Sequence, residues 1–189
     1  MSKKLSLGFL GAGKMATALA KGFIQAGLVS ARQTLAADPS KTSRAAFTRE
    51  VGAPTTPSNR VVAEFAQVLV LAVKPDQVAA VLDDIRDRFT SRHLLISIAA
   101  GIPLARLEAG LGAGARLIRV MPNTPALIGA SATAFALGKA AHPADGALVQ
   151  QLFSAVGLAL PVKETLLDAV TGLSGSGPAY FFYFVELLT

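Results

Sequence analysis

A glycine-rich turn near the start of the chain has the residue types and spacing that bind a diphosphate. Gly11-Ala12-Gly13-Lys14-Met15-Ala16 fits the pattern G-x-G-x-x-G/A between a predicted strand and a predicted helix. The first glycine permits the tight turn. Gly13 lets the backbone approach a pyrophosphate, whose charge the helix N-terminus attracts. We therefore predict a dinucleotide site here, with a structural turn that binds no ligand as the alternative.

Two charged side chains follow other predicted strands. Asp38 comes after the strand Thr34–Ala37, where an acidic residue accepts hydrogen bonds from ribose hydroxyls and favours NAD over NADP. Lys41 and Arg44 follow it and keep NADP open, and an N-cap of the next helix is an equal alternative for Asp38. Lys74 follows another buried strand, where it can meet a cofactor ribose or phosphate or remain a solvated lysine.

Two further segments combine proline or glycine with polar groups. Met121-Pro122-Asn123-Thr124-Pro125 follows a strand, and its prolines stiffen a loop that presents the amide of Asn123 and the hydroxyl of Thr124. Ser174-Gly175-Ser176-Gly177-Pro178 precedes the last predicted helix and exposes backbone donors at its N-terminus. A rigid turn and a flexible turn are the respective alternatives. The candidates for the lining of a pocket are Asn123, Thr124, Ser174, Gly175, Ser176 and Gly177.

No pattern in the sequence supports metal or nucleophilic catalysis. The chain has no Cys, and its two histidines, His93 and His142, fall at the start of a strand and in a turn. A net charge of +6 raises the question of an anionic partner. The basic residues are dispersed and do not interleave with aromatic residues, so we expect no nucleic-acid groove. A phosphate-bearing cofactor and a small anionic substrate fit the charge better.

The elements that must position these residues alternate between strands and helices. Apolar runs of strand length, separated by helical segments such as Gln77–Phe89, lie at Leu5–Leu10, Thr34–Ala37, Val68–Val73, Leu94–Ile98, Leu117–Met121, Ala132–Leu137 and Leu158–Val162. Continuous apolar runs joined by helices indicate a parallel sheet that is buried on both faces. We predict an α/β fold in which residues 1–162 form a Rossmann-type, doubly wound, mostly parallel sheet.

Every segment after residue 162 has a helical pattern, so we predict that residues 163–189 begin an all-helical second domain. The predicted helices are Leu166–Leu173 and Ala179–Leu188, the latter opened by Pro178. The last helix is apolar on every face and must therefore be buried. We expect residues absent from this sequence, or a second copy of the chain, to cover it. Packing wholly into its own sheet layer is the less favoured alternative.

The composition is that of a folded, core-forming chain. Hydrophobic residues make up 52% and charged residues 16%, which excludes a disordered chain. The absence of Cys excludes a disulfide-rich one. No run reaches the ~20 apolar residues of a membrane-spanning helix. Lys3 and Lys4 lead straight into a strand pattern without a signal-peptide cleavage site. We expect a cytoplasmic protein with no membrane partner.

Five segments taken together resemble pyrroline-5-carboxylate reductases. They are Gly8–Ala16, Ala72–Pro75, Ser97–Ile102, Met121–Pro125 and Asp168–Tyr180, and they span the chain in order. The last segment is specific to that family among Rossmann-type dehydrogenases. The resemblance implies NAD(P)H-dependent reduction of the cyclic imine 1-pyrroline-5-carboxylate to L-proline, the last step of proline synthesis. It also implies a homo-oligomer, a dimer or larger, assembled through the C-terminal helices.

The resemblance implies site residues as well. With the two loop glycines, Gly11 and Gly13, the cofactor contacts of the family fall on Leu10, Ala12, Lys14, Met15, Asp38, Asn59, Val73, Lys74 and Ala100. Lys14 stands where the family often has Asn or Gln, and Asp38 where NADPH-preferring members often carry Ser. The cofactor is thus NADPH or NADH, with the choice open. A protonated imine is already an electrophile, so the protein contributes placement more than acid or base chemistry.

Length is the main departure from the family. Family members continue with further helices that hold the substrate and interlock two subunits, so we expect this sequence to be a shortened form, by truncation or proteolysis. Three functions stay open: the reductase, a chain that binds NAD(P)H without turnover, and a related Rossmann imine or hydroxyacid reductase. The segment Asp168–Tyr180 disfavours the third.

Overall fold

A computed structural model describes residues 5–189, so that Lys3 and Lys4 lie outside the described residues. Its centre is a sheet in the order β3-β2-β1-β4-β5-β6-β7-β8. The strands are β1 (Leu7–Leu10), β2 (Thr34–Ala37), β3 (Thr55–Thr56), β4 (Val68–Leu71), β5 (Leu94–Ser97), β6 (Arg116–Met121), β7 (Ser131–Leu137) and β8 (Gly157–Pro161). Strands β1 to β6 are parallel. The predicted Rossmann-type, mostly parallel sheet is confirmed.

Helices cover both faces of this sheet. They are α1 (Lys14–Gln25), α2 (Lys41–Val51), α3 (Asn59–Phe65), α4 (Val78–Ile85), α5 (Leu104–Leu111), α6 (Pro143–Ser154), α7 (Leu167–Val170) and α8 (Gly177–Leu188). One core contains Phe9 of β1 with residues of α1, α2 and α6. The other contains the neighbouring Leu10 with residues of α3, α4, α5 and α7. Because successive strand residues enter opposite cores, the strands appear in the sequence as unbroken apolar runs.

Two strands differ from the sequence prediction. Strand β3 was not predicted, because its two residues, Thr55 and Thr56, form no apolar run; they pair with Ala36 and Ala37 of β2. Strand β7 runs antiparallel to β6, and β8 runs parallel to β7. The connection between β6 and β7 contains only a short 3₁₀ turn, Thr124–Ile128. A connection without a crossover helix returns the chain in the opposite direction.

The predicted turn at Ser174–Pro178 is wrong. The chain continues from α7 through a π-helical turn, Thr171–Ser176, into α8, and Gly177 keeps helical backbone angles. The Ser174 hydroxyl donates to the Val170 carbonyl at 3.0 Å, which supports the widened turn. No free helix N-terminus is therefore exposed at this segment, contrary to the sequence prediction.

Helix α8 projects from the sheet with its apolar side chains exposed. Phe181 is 75% exposed and Phe184 is 61% exposed, and no residue of α8 is buried. The alternative in which α8 packs wholly into its own sheet layer is therefore wrong. Within residues 5–189, no helix combines the length and hydropathy that crossing a membrane requires.

Candidate functional site

The turn between β1 and α1 needs glycine at its first position. Gly11 has a φ of +101°, and a Cβ atom there would lie 2.8 Å from the carbonyl oxygen of Ala72. Its N–H donates to the carbonyl of Ala37 at 2.8 Å, which ties the turn to β2. Gly13 differs, because a Cβ atom there would meet nothing within 4 Å. A diphosphate requires such open space above the main-chain N–H groups at the N-terminus of a helix.

The first turn of α1 has no acidic side chain and no side-chain cap. Thr17 is the first residue of this turn whose N–H reaches back to a carbonyl, that of Gly13, at 3.0 Å. The amides before it are the ones that a helix leaves to an external acceptor. With the positive end of the helix dipole behind them, they suit an anion. The turn therefore fits the diphosphate of a dinucleotide.

Asp38 lies at the end of β2 and faces this turn. Its Oδ2 accepts a hydrogen bond from the N–H of Ala12 at 3.0 Å, and its Oδ1 accepts one from the N–H of Ser40 at 2.8 Å. The N-cap of α2 is Ser40, whose hydroxyl accepts from the N–H of Ser43. The alternative role of Asp38 as the helix N-cap is therefore wrong.

The other residues predicted to touch the cofactor are distributed around the same edge. Leu10 is buried at the end of β1, Val73 and the exposed Lys74 follow β4, and the exposed Ala100 follows β5. Parallel strands bring these ends to one edge, the place where open α/β sheets bind ligands. Asn59 begins α3, and its amide donates to Asp84 of α4 at 3.1 Å. The structure thus directs the Asn59 side chain to a neighbouring helix, and its cofactor role stays a prediction.

Asn123 follows β6 and is 8% exposed. Its Oδ1 accepts from the hydroxyl of Ser131 at 3.0 Å and from the N–H of Ala132 at 2.9 Å. Its Nδ2 donates to the carbonyl of Ser174 at 3.2 Å. The expectation that the loop presents this amide is wrong, because these bonds turn it inward; Thr124 is the exposed side chain of the two. Asn123 instead joins the end of β6 to the π-helical turn.

The π-helical turn lies close to the end of β6. A Cβ atom on Gly175 would lie 2.8 Å from Cε of Met121, so only glycine allows this approach without movement of the methionine. Gly175 and Gly177 are partly buried, whereas Ser176 is exposed. The structure thus brings the two predicted pocket segments together through Asn123 and Ser174. Their role in lining a pocket stays a prediction.

Sequence reasoning missed a buried arginine beneath the C-terminal helices. The Arg119 side chain, in the middle of β6, is 7% exposed and donates to Asp168 at 2.7 Å and to Glu164 at 3.4 Å. The same Glu164 oxygen accepts from the N–H of Leu104 at the start of α5, at 2.7 Å. The available signal was an arginine inside an apolar strand run, since a buried charge requires partners.

A cavity of about 770 Å³ runs beside α1. Its walls come from α1, α2, the turn that contains Leu127 and Ile128, and the end of α6. Of the predicted cofactor residues, only Ala12, Gly13 and Lys14 line it. Asp38, Lys74 and Ala100 do not line it. The cavity therefore includes the diphosphate turn but not the rest of the predicted cofactor site.

The two histidines have structural positions. His93 is buried just before β5, where its Nδ1 accepts from the N–H of Thr90 at 2.9 Å and its Nε2 lies 2.9 Å from the carbonyl of Ala63. Burial lowers the pKa of His93, and the neighbouring Arg92 and Arg116 lower it further. His142 is the exposed N-cap of α6. The described residues contain no cluster of His, Asp and Glu able to hold a metal ion.

Two family models match parts of this chain. Residues 6–101 match the family described as NADP oxidoreductase coenzyme F420-dependent. Residues 164–189 match the family described as pyrroline-5-carboxylate reductase dimerisation. The first match contains β1 to β5 with the diphosphate turn, and the second contains α7, the π-helical turn and α8.

Named relatives point to one family. The chain is 43% identical over 182 residues to a pyrroline-5-carboxylate reductase of Methanosarcina acetivorans, with 96% of this chain and 67% of the relative covered. It is 43% identical to pyrroline-5-carboxylate reductase 2 of Bos taurus, with 97% of this chain and 59% of the relative covered. The chain thus spans only part of the length of these relatives. The crystal structure of a Plasmodium falciparum pyrroline carboxylate reductase with NADP bound has a TM-score of 0.87 at 34% identity, covering 97% of this chain and 67% of that one. These similarities confirm the resemblance seen in the sequence, and the chain belongs to the pyrroline-5-carboxylate reductase family.

Proposed function

We propose that this chain carries the dinucleotide-binding part of a pyrroline-5-carboxylate reductase, which uses NADPH or NADH to reduce 1-pyrroline-5-carboxylate to L-proline. The observation that carries the proposal is 43% identity to a named reductase over 96% of this chain. That similarity includes both the turn at Gly11–Met15 and the segment at Ser174–Gly177. The bound cofactor supplies the hydride, and the residues of the chain bind and orient it.

The chain holds the cofactor through main-chain groups at the sheet edge. The amides at the start of α1 receive the diphosphate, because Gly13 leaves room above them. Lys14 is exposed at the first position of α1, where its ammonium group attracts the same charge. We propose that Asp38, Lys74 and Ala100 contact the rest of the cofactor along the edge, with Leu10, Ala12, Met15, Asn59 and Val73 around them.

Asn123 positions the second part of the proposed site. It fixes the π-helical turn above the end of β6 through its bond to Ser174. We propose that the exposed Thr124 and Ser176, together with Gly175 and Gly177, line the space where the imine meets the nicotinamide. A protonated imine needs no added acid to accept a hydride. Placement and exclusion of water are therefore the contributions required of these residues.

We further propose that the chain forms a homo-oligomer, a dimer or larger, through residues 163–189, and that residues 1–162 form a separate domain. The last strand ends at Pro161, and the match to the dimerisation family begins at residue 164. An exposed helix with this many aromatic side chains suits a symmetric contact with a second copy. The described C-terminal segment therefore supports association through α8.

Steady-state kinetics test the proposal. Oxidation of NADH and of NADPH is followed at 340 nm with 1-pyrroline-5-carboxylate, and with 1-pyrroline and a set of 2-oxo acids, which a hydroxyacid-forming reductase would reduce, as matched controls. We expect turnover with the carboxylated imine only. Turnover with 2-oxo acids instead would contradict the proposal and favour a related reductase that forms hydroxy acids.

A second candidate function is nicotinamide dinucleotide binding without turnover. The bare surface of α8 favours it, since Phe181 and its neighbours have no cover within the described residues. Calorimetry with each cofactor, beside the kinetic assay on the same preparation, separates the two functions. Binding with no rate on the imine would support the second candidate.

A further inference from the structure

The Asp38 carboxylate is fixed in place at the end of β2. Both of its oxygens accept main-chain hydrogen bonds, one from Ala12 in the diphosphate turn and one from Ser40 before α2. Hydrogen bonds to an ionised carboxylate are among the stronger ones in proteins. Asp38 therefore cannot turn away from the diphosphate turn without losing two of them. Each oxygen still has a free lone pair that can accept a ribose hydroxyl.

Two hydrogen-bond donors beside Asp38 already have partners within the chain. Nη1 of Arg44 donates to the carbonyl of Asp38 at 2.6 Å and to the carbonyl of Pro39 at 3.0 Å. One nitrogen of this guanidinium is thus held by main-chain oxygens. The N–H of Ser43, in the first turn of α2, donates to the hydroxyl of Ser40. These two donors, Nη1 of Arg44 and the N–H of Ser43, are therefore not free to bind a phosphate.

Lys41 is a further cation beside this turn. It is the first residue of α2 and is exposed. A solvated, flexible ammonium group contributes little to a fixed ionic contact. Lys41 therefore does not offset a carboxylate that the backbone holds in place.

We propose that Asp38 makes this chain bind NADH in preference to NADPH. The inference rests on the proposed function, which requires a nicotinamide dinucleotide at the turn Gly11–Lys14. The ribose hydroxyls of NADH donate hydrogen bonds to the carboxylate, whereas the 2′-phosphate of NADPH brings negative charge toward it.

Isothermal titration calorimetry with NADH and with NADPH tests the proposal without relying on turnover. We expect a lower Kd for NADH in the unchanged protein. Asp38→Ser and Asp38→Asn should each lower the ratio of the NADPH Kd to the NADH Kd by about tenfold or more, because removal of like-charge contact is expected to favour NADPH. Asp83→Asn, which removes an exposed carboxylate on α4, is the matched control and should leave the ratio unchanged.

Arg44→Gln tests whether the arginine is held by the backbone or recognises phosphate. The glutamine side chain is shorter and uncharged, so this variant loses the bonds from Nη1 to the carbonyls of Asp38 and Pro39. We expect the Kd values for NADH and NADPH to change by the same factor, because the turn that both cofactors contact is altered. A selective loss of NADPH affinity would show that Arg44 binds the 2′-phosphate and would overturn the proposal.

The other outcomes are separable as well. Tighter or equal binding of NADPH by the unchanged protein would overturn the proposal, and so would an unchanged Kd ratio in both Asp38 variants. Failure of a folded protein, checked by circular dichroism, to bind either cofactor would instead overturn the proposed function. A lower Kd for NADH together with a reduced ratio in both variants would support the assignment of Asp38 as the selectivity residue.

Discussion

The side chains of the sheet edge have partners within the chain, whereas those of helix α8 are exposed. At the edge, Asp38 and Asn123 each bind several groups of the same chain. Throughout the described residues, no buried side-chain nitrogen or oxygen lacks a hydrogen-bond partner. Along α8, by contrast, Tyr180, Phe181 and Phe182 are each more than 70% exposed. The edge is complete within one chain, whereas α8 depends on a surface that the described residues do not supply.

The difference has a large energetic consequence. Burying one aromatic or leucine side chain contributes about 1.5–3 kcal/mol, and α8 exposes several of them. Polar groups at the sheet edge, already bonded within the chain, gain far less from a second copy. Association should therefore depend on α8 and leave the sheet edge unchanged.

The largest expected effect is on self-association. The double variant Phe181→Glu with Phe184→Glu places two charges on the apolar surface of α8, and we expect association to weaken by about a hundredfold or more. Sedimentation velocity over a range of protein concentrations measures this. Gln150→Glu with Gln151→Glu adds the same charges at exposed positions of α6 and should leave association unchanged. Equal association of both variants would show that the contact surface lies elsewhere.

A paired glycine substitution tests the sheet edge. Gly11→Ala forces a non-glycine residue into a φ of +101° and a Cβ against the Ala72 carbonyl, so we expect a loss of about 2–3 kcal/mol in the free energy of unfolding. In Gly13→Ala the new methyl group meets nothing in the chain, so the free energy of unfolding should stay within about 1 kcal/mol of its original value. Denaturant unfolding followed by circular dichroism measures both.

The same pair separates stability from binding. The new methyl group of Gly13→Ala lies in the space proposed for the diphosphate, so we expect weak NADH binding by a stable protein. Calorimetry on this variant is the measurement. Unchanged affinity in Gly13→Ala would place the diphosphate away from the turn, and equal stability of the two variants would contradict the steric argument for Gly11.

The sequence was sufficient for features that depend on neighbouring residues. Strand β4 lies between two cores, which favours an apolar side chain at each of its four positions and makes it visible as an unbroken run. The turn at Gly11 was predictable because one backbone conformation demands glycine. The need of α8 for a covering surface was predictable from an apolar pattern on every face of a helix.

Features that join distant residues could not be predicted. Arg119 meets Glu164 and Asp168, which follow it by 45 and 49 residues, and no local pattern specifies that pairing. Three glycines near Ser174 indicate a break in the helix on propensity alone. Packing against Met121 and the bond from Asn123 override that propensity and yield a π-helical turn. Tertiary contacts decided each of these positions.

Arg119 connects the two regions, so its replacement tests how far α8 depends on the sheet. Arg119→Met removes two charge-assisted hydrogen bonds but leaves carboxylates that reach solvent, so we expect a loss of about 2 kcal/mol in the free energy of unfolding. Release of residues 164–168 should also speed tryptic cleavage after Lys163. Arg119→Lys keeps the positive charge, so tryptic cleavage of this variant should be slower than that of Arg119→Met. A rate unchanged in Arg119→Met would show that the ion pairs do not anchor α7.

His93 gives the smallest expected effect and tests whether the sheet is stable independently of α8. Its environment lowers the pKa of the folded state, so below about pH 6.5 the unfolded chain takes up a proton that the folded chain does not. The free energy of unfolding should therefore decrease as the pH falls through that value toward the folded pKa. Denaturant unfolding between pH 7.5 and pH 5.5, a window set around the ordinary histidine pKa of about 6.5, measures the slope.

Three variants serve as controls for this pH dependence. His93→Gln should flatten the slope, whereas His142→Asn should leave the His93 contribution in place. The double variant of α8, Phe181→Glu with Phe184→Glu, should retain the slope. A slope that disappears with the α8 substitutions would show that the sheet depends on the helix and would remove the distinction between the two regions.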